Sequence, residues 1–288
     1  MHEGVGYLKN RKTITLKIVY GVVAVVLLVV LAVCTFPNRQ EGLVRSGFSV
    51  VVLGDSLTGQ CRDETSVAQQ LGMMLGKSVY NGAFGGTCLA IQENAQNNYT
   101  TDLLNMVSLS NAIVADDFGV QQTVRSKREV TDYFGYVIDE LEGIDFEQVE
   151  ILVLAFGIND YHAGIPMDNE KDPFDETTYG GALRSVLTSM QEAYPNLRIV
   201  LATPTYAWYV SKGLTCEEYD TGAVYLEEYV AKEISIAEEF DVEVVDLYHD
   251  VYAHEEWEDW KIYTEDGLHP NESSRKLLAE KIAEVIAE

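Results

Sequence analysis

Five short β-type runs punctuate the chain: Phe48–Gly54, Ser78–Asn81, Ile151–Phe156, Arg198–Ala202 and Val242–Asp246. Runs such as Ile151–Phe156 are continuously apolar, the pattern of a strand buried on both faces rather than one alternating between core and water. Between the runs, apolar residues recur at helical spacing near Ser66–Leu75, over Thr177–Ala193 and Gly222–Phe240, and over Asn271–Ala287. Strands alternating with helices imply right-handed crossovers and a five-stranded, mainly parallel sheet with helices on both faces. In such an α/β sheet, chemistry gathers at the loops leaving the carboxyl ends of the strands. The stretch Gln92–Leu141 exceeds what one crossover needs and predicts extra helices, one of them near Arg128–Glu142.

A different pattern occupies the N-terminus. No charged residue stands between Ile18 and Asn38, and Ile18–Phe36 is mostly Val, Leu, Ala and Ile. About 20 apolar residues suffice for a helix to cross a bilayer core. Lys9, Arg11, Lys12 and Lys17 precede the run and would hold that end in the cytoplasm. The expected organisation is a basic cytoplasmic tail over residues 1–17, a single-pass transmembrane signal anchor over 18–38, a linker over 39–47 and an extracytoplasmic domain over 48–288. A cleaved secretory signal is one alternative, although the run is long for that and no small-x-small site follows it. A lipoprotein signal ending at Cys34 is another, with Val33 standing where a small residue is expected. All three readings put the domain outside the cytoplasm.

Charge divides at the same boundary. Of 20 Lys/Arg and 46 Asp/Glu, residues 1–40 hold five and one, which leaves 15 basic against 45 acidic residues, a net of −30. Such a surface repels phosphates, which excludes nucleic acid as a partner, and it keeps an exported domain soluble. Three cysteines, Cys61, Cys88 and Cys216, lie beyond the hydrophobic run. Cys61 and Cys88 each follow a motif at the same edge of the sheet, so a bridge between them is one possible pairing. No Cys-x-x-Cys or His-x-x-x-His spacing points to a metal.

Four motifs carry chemistry. The first strand ends in Gly54-Asp55-Ser56-Leu57, where a tight turn would expose the serine hydroxyl above the sheet, as a nucleophile requires. An ordinary strand-end turn would look the same. The second strand ends in Asn81-Gly-Ala-Phe-Gly85-Gly86-Thr87, and its paired glycines allow close backbone approach and an exposed N–H, or simply a tight turn. The third ends in Gly157-Ile-Asn159-Asp160; the Asn amide can donate to an oxyanion, or serve as an Asx-turn. Before the last helix stands Asp266-Gly-Leu-His269-Pro270. Pro270 suits the helix entrance and biases His269 toward an extended conformation. Asp266 could then reach one imidazole nitrogen while the other faces a serine, the division of labour of a hydrolytic triad.

Taken together, in this order and at strand ends, the four motifs resemble the SGNH hydrolases, also called the GDSL esterase/lipase family. The resemblance spans Phe48 to the C-terminus. It implies a flavodoxin-like three-layer sandwich, no metal and no organic cofactor. It further implies Ser56 as nucleophile, His269 as base and Asp266 as its orienter. The Ser56 N–H, the Gly86 N–H and the Asn159 side chain would form the oxyanion hole. The Gly-x-Ser-x-Gly elbow of the other large serine-esterase fold is absent, since Thr58 stands where its last glycine would be.

The motifs do not choose the ester. Tyr206-Ala-Trp208-Tyr209 follows the fourth strand, and Tyr248, Tyr252, Trp257, Trp260 and Tyr263 crowd the loop before the triad Asp and His. Rings among acids and amides suit stacking on sugars, and equally suit packing a long loop. Tyr206 and Trp208, with Asp55 and Tyr161 beside the first and third motifs, are candidate substrate-binding residues. The expected activity is deacylation, chiefly deacetylation, of a glycan ester at the cell envelope. A lysophospholipase-like lipid esterase, an O-acyltransferase and a non-catalytic glycan-binding module are the alternatives; oligomeric state is not legible.

Overall fold

Main-chain pairing gathers the apolar runs into one sheet. The computed structural model describes residues 47–92, 103–126 and 131–287. Its strands are β1 (Val50–Gly54), β2 (Val79–Asn81), β3 (Ile151–Ala155), β4 (Arg198–Ala202), β5 (Trp208–Tyr209), β6 (Leu214–Thr215) and β7 (Glu243–Val245). Five of them form a sheet in the order β2-β1-β3-β4-β7, every neighbouring pair parallel. All five residues of β1 and of β3 are buried, which is why those strands read as unbroken apolar runs. The short antiparallel pair β5–β6 stands apart and has no periodic signal long enough to find in sequence.

The helices that position the site are α1 (Ser56–Gly59), α2 (Val67–Leu75), α3 (Met106–Ala115), α4 (Phe134–Glu142), α5 (Ile158–Ala163), α6 (Tyr179–Ala193), α7 (Leu226–Phe240) and α8 (Glu272–Ala287). Several starts are set by side-chain caps: Ser66 accepts from the Gln69 amide and Thr178 from the Gly181 amide. The last helix packs on α2, whereas α6 packs with α3 and α7. The order in which the chain adds strands reverses between β1 and β3, so right-handed crossovers send their helices to opposite faces. The result is the expected three-layer α/β arrangement.

The long crossover between β2 and β3 contains α3 and α4, as its length required; the helix expected near Arg128–Glu142 is observed over Phe134–Glu142, with 127–130 outside the described residues. No helix among the described residues is long and apolar enough to cross a membrane. The segment 18–38, read above as an anchor, lies outside them. No disulfide joins Cys61 to Cys88. The Cys61 thiol instead lies 3.2 Å from Asp63 Oδ1, and the Cys88 sulfur accepts from Gln92 Nε2 at 2.8 Å.

Candidate active site

The reversal of strand order opens a crevice at the carboxyl ends of β1 and β3, the usual place for a ligand in such sheets. The two strands end level, with Gly54 opposite Ala155, and the Asp55 amide continues the ladder to the Ala155 carbonyl at 3.2 Å. Immediately beyond, Ser56 begins α1. Its N–H belongs to the first turn, where no helical acceptor exists, so it is free to face a ligand.

The turn is shaped by Asp55, whose Oδ1 accepts the Leu57 amide at 2.9 Å and so caps α1. Asp55 is only 1% exposed, and burial pushes its carboxyl up to about 7 despite that hydrogen bond. A side chain so enclosed has no surface for substrate, which corrects the substrate-binding role expected of it.

Ser56 Oγ lies 3.1 Å from His269 Nε2, and His269 Nδ1 lies 2.8 Å from Asp266 Oδ2. The other oxygen of Asp266 accepts the amides of Leu268 and His269 at 3.0 and 2.8 Å. Partial burial opposes ionisation of Asp266, but the imidazole and the two amides outweigh it and hold the carboxyl below its ordinary range. The loop carrying both residues is closed on itself: Glu265 donates to the His269 carbonyl, Gly267 donates to Thr264 Oγ1, and Thr264 bridges to Pro270. It is also fastened to β5, where the Trp208 amide donates to the Gly267 carbonyl at 2.7 Å.

The second motif forms the adjacent wall. Phe84 donates to the Gly54 carbonyl at 2.9 Å, which lays the loop beside the nucleophile turn. Thr87 N then approaches the Phe84 carbonyl at 3.4 Å across Gly85 and Gly86, and Gly86 has φ +80°. That is the geometry of a type II turn, whose third position needs the left-handed backbone glycine provides. The Gly86 N–H has no hydrogen-bond acceptor among the described residues. Asn159, in the first turn of α5, donates one amide hydrogen to the Thr87 carbonyl at 3.0 Å and retains a second. Asp160 beside it is wholly buried and accepts the Leu89 and Ala90 amides at 2.8 and 3.0 Å. Burial pushes its carboxyl up to about 6, with those amides opposing the rise. Asp160 thus ties the second-motif loop to the third-motif helix, a role its position in the sequence did not reveal.

Ser56 and His269 open into a cleft of about 280 Å³ whose other walls include Gln60, Cys61, Asp63, Glu265 and Arg275. Arg275 donates to Glu265 at 3.1 Å and to the Pro270 carbonyl at 2.8 Å, so part of the acidic wall is neutralised by a cation on α8. Of these wall residues the sequence drew attention only to Cys61, as a thiol that could pair with Cys88; the others are ordinary in their own segments. Among the described residues no group of His, Cys, Asp or Glu is placed to hold a metal ion.

The aromatic candidates fall elsewhere. Tyr161, Tyr206 and Trp208 are each at most 1% exposed. The Tyr161 hydroxyl donates to the Tyr219 carbonyl, and Tyr206 donates to Glu217 at 3.1 Å while its ring stacks on His254. Tyr248 and Tyr252 are buried as well. These five rings pack the β5–β6 region and the loop after β7 and offer no stacking platform to a sugar, whereas Trp257 of the same set is exposed and Trp260 and Tyr263 are partly buried.

The sequence from 52 to 276 matches the model of the GDSL-like Lipase/Acylhydrolase family. No curated protein matches the chain. Solved structures with this fold include a protein from Lactobacillus plantarum at 18% identity and TM-score 0.57, covering 84% of this chain and 97% of that one. A protein from Chitinophaga pinensis described as a possible lipase aligns at 18% identity and TM-score 0.55, over 83% and 98%. A carbohydrate acetylesterase from Sinorhizobium meliloti aligns at 14% identity and TM-score 0.50, over 83% and 98%. At such identities the likeness is one of fold. The family match covers most of the chain and both ends of the site just described, and the chain belongs to the GDSL-like lipase/acylhydrolase family, as a hydrolase of carboxylic esters.

Proposed function

We propose that the protein is a serine esterase that removes short acyl groups, chiefly acetyl, from a hydroxyl-rich substrate such as a cell-envelope glycan. The observation that carries the catalytic part is the unbroken chain from Ser56 through His269 to Asp266, at 3.1 and 2.8 Å. Ser56 Oγ attacks the ester carbonyl carbon as its proton passes to His269 Nε2, while Asp266 holds the Nδ1–H and stabilises the imidazolium. The carbonyl oxygen becomes an oxyanion facing the N–H groups of Ser56 and Gly86 and the second amide hydrogen of Asn159. Collapse of the tetrahedral species breaks the bond to the alcohol, which leaves with the proton from His269. Water, deprotonated by the same imidazole, then attacks the acyl-enzyme and releases the acid and Ser56.

The cleft supports the substrate class. Its walls beside Ser56 carry Gln60, Asp63, Glu265 and Arg275 rather than a run of aliphatic side chains. That lining suits a polar alcohol and a short acyl group better than a fatty chain, which needs an apolar channel. The carbohydrate acetylesterase sharing the fold acts on the same class of ester. The uncharged run 18–38 would place this chemistry outside the cytoplasm, on a membrane anchor.

The test is hydrolysis of p-nitrophenyl acetate, butyrate and octanoate by the full chain in detergent, beside Ser56→Ala. Acetate turnover should dominate and should vanish in the variant. A preference for octanoate would replace the glycan reading with a lipid one, and no Ser56-dependent turnover on any ester would remove simple hydrolysis.

A further inference from the structure

The turn that presents the Gly86 N–H contains two glycines in succession, the least constrained pair the backbone can have. Its flanks are pinned. Upstream, Gly82 donates to the Val52 carbonyl at 2.8 Å and Phe84 to that of Gly54 at 2.9 Å. Downstream, the Thr87 carbonyl accepts from Asn159, and Asp160 holds Leu89 and Ala90. Among the described residues two side chains hold the turn itself: Thr87 Oγ1 donates back to the Phe84 carbonyl at 2.7 Å, and the Gly85 amide donates to the phenol oxygen of Tyr133 at 2.9 Å, the one of these bonds that reaches in from another segment.

Tyr133 is itself well held. The Arg62 guanidinium lies 4.6 Å from its ring centroid, and the same guanidinium donates to the carbonyls of Gly59 at the end of α1, Asn81 at the end of β2 and Ala83 just before the turn. Phe134, the next residue, meets the buried Phe84 edge-on at 5.2 Å. A Cβ built on Gly85 would stand 3.2 Å from the Tyr133 oxygen and 3.6 Å from Ser56 Cβ, so the phenol, the turn and the nucleophile are immediate neighbours. Burial pushes the Tyr133 phenol up, which keeps its proton on and leaves a lone pair for the amide.

We propose that Tyr133, delivered by the long crossover between β2 and β3, is a positioning residue that fixes the Gly85–Gly86 turn so that the Gly86 N–H points at the oxyanion. A type II turn interconverts with type I by rotation of its central peptide, which here carries that N–H. The Tyr133 hydroxyl holds the preceding Phe84–Gly85 peptide, and so fixes the pivot from which that rotation would start. This rests on the Ser56 esterase reading and assigns the crossover its part in that site.

The consequence is selective. A residue acting through the oxyanion hole affects the tetrahedral species more than the bound ester. Tyr133→Phe, which keeps the ring over Arg62, should lower kcat on p-nitrophenyl acetate roughly tenfold with KM within about twofold, for a loss comparable to one hydrogen bond. The affinity for an alkylboronic acid, which mimics the tetrahedral species on Ser56, should fall by a similar factor, and the thermal midpoint should hold. Labelling of Ser56 by a fluorophosphonate needs the hole but no substrate recognition, so it should slow likewise even where ester turnover is poor. Tyr133→Leu, which also loses the ring, should be at least as impaired. Tyr133→Phe equal to wild type in kcat, boronate affinity and labelling would overturn the proposal, whether or not Tyr133→Leu is impaired, since packing rather than the hydroxyl would then matter. Wild-type protein inert to esters and fluorophosphonate alike would overturn the Ser56 reading and this one with it.

Discussion

Asn159 has two amide hydrogens, and among the described residues only one of them has an acceptor, the Thr87 carbonyl. The second is therefore already oriented when a substrate arrives, because rotation of the amide would break the first bond. This preorganisation is what makes an oxyanion donor effective: the dipole is in place before charge develops. Asn159→Ala should lower kcat on p-nitrophenyl acetate about 10²–10³-fold while KM changes little, which steady-state kinetics would show. An equal loss through KM alone would mean the amide binds the ground state instead. The motif drew attention to Asn159 in the sequence. The same reading misassigned Asp55, Tyr161, Tyr206 and Trp208, for burial depends on what folds over a residue, and no local pattern records that.

Among the described elements, the loop Thr264–Pro270 is held both by its own hydrogen bonds and by β5. Gly267 has φ +98°, and a Cβ there would meet the Trp208 carbonyl oxygen at 2.2 Å. The backbone conformation and the fastening to β5 both require glycine. Gly267→Ala must therefore move the loop off β5, and His269 with it. The expected result is a stability loss of about 1–3 kcal/mol with a fall in kcat that exceeds it in proportion, read by denaturant titration and kinetics on the same preparation. A variant with wild-type kcat would show that the triad tolerates a displaced loop. Sequence placed Asp266 and His269 three residues apart ahead of a helix. The strand that holds their loop, β5, is two residues long and left no periodic trace.

Over the whole molecule, the net charge of −26 includes several carboxyls turned inward. Burial pushes Asp55 up to about 7, Asp160 to about 6 and Glu233 to about 8, with Glu233 accepting the Tyr179 hydroxyl at 2.8 Å. A carboxyl whose pKa rises on folding binds its proton more tightly in the native state. Its contribution to stability is therefore full below the unfolded value near 4 and is lost as pH climbs through the folded value. The thermal midpoint should accordingly decline from about pH 5 to pH 8, opposite to the acid sensitivity usual for paired surface carboxylates. Glu233→Gln should flatten part of that decline, by about 1.4 kcal/mol per pH unit at most within the window, as measured by melting across pH. An unchanged slope would exclude Glu233 as a source.

The sequence by itself determined the sheet, its helical layers and the residues of the four motifs. Those depend on patterns short enough to be local: a strand buried on both faces must be apolar throughout, and a cap or a turn needs its particular side chain. The family resemblance grouped the motif residues in one site, but only the tertiary structure gave the contacts between them and the other residues that surround them. Ser56 and His269 stand 213 positions apart in the chain and 3.1 Å apart in space, and Tyr133 meets Gly85 across 48 positions. The cleft walls, the buried rings and the separate thiols of Cys61 and Cys88 were settled in the same way, by contacts between distant segments that each segment's own composition leaves open.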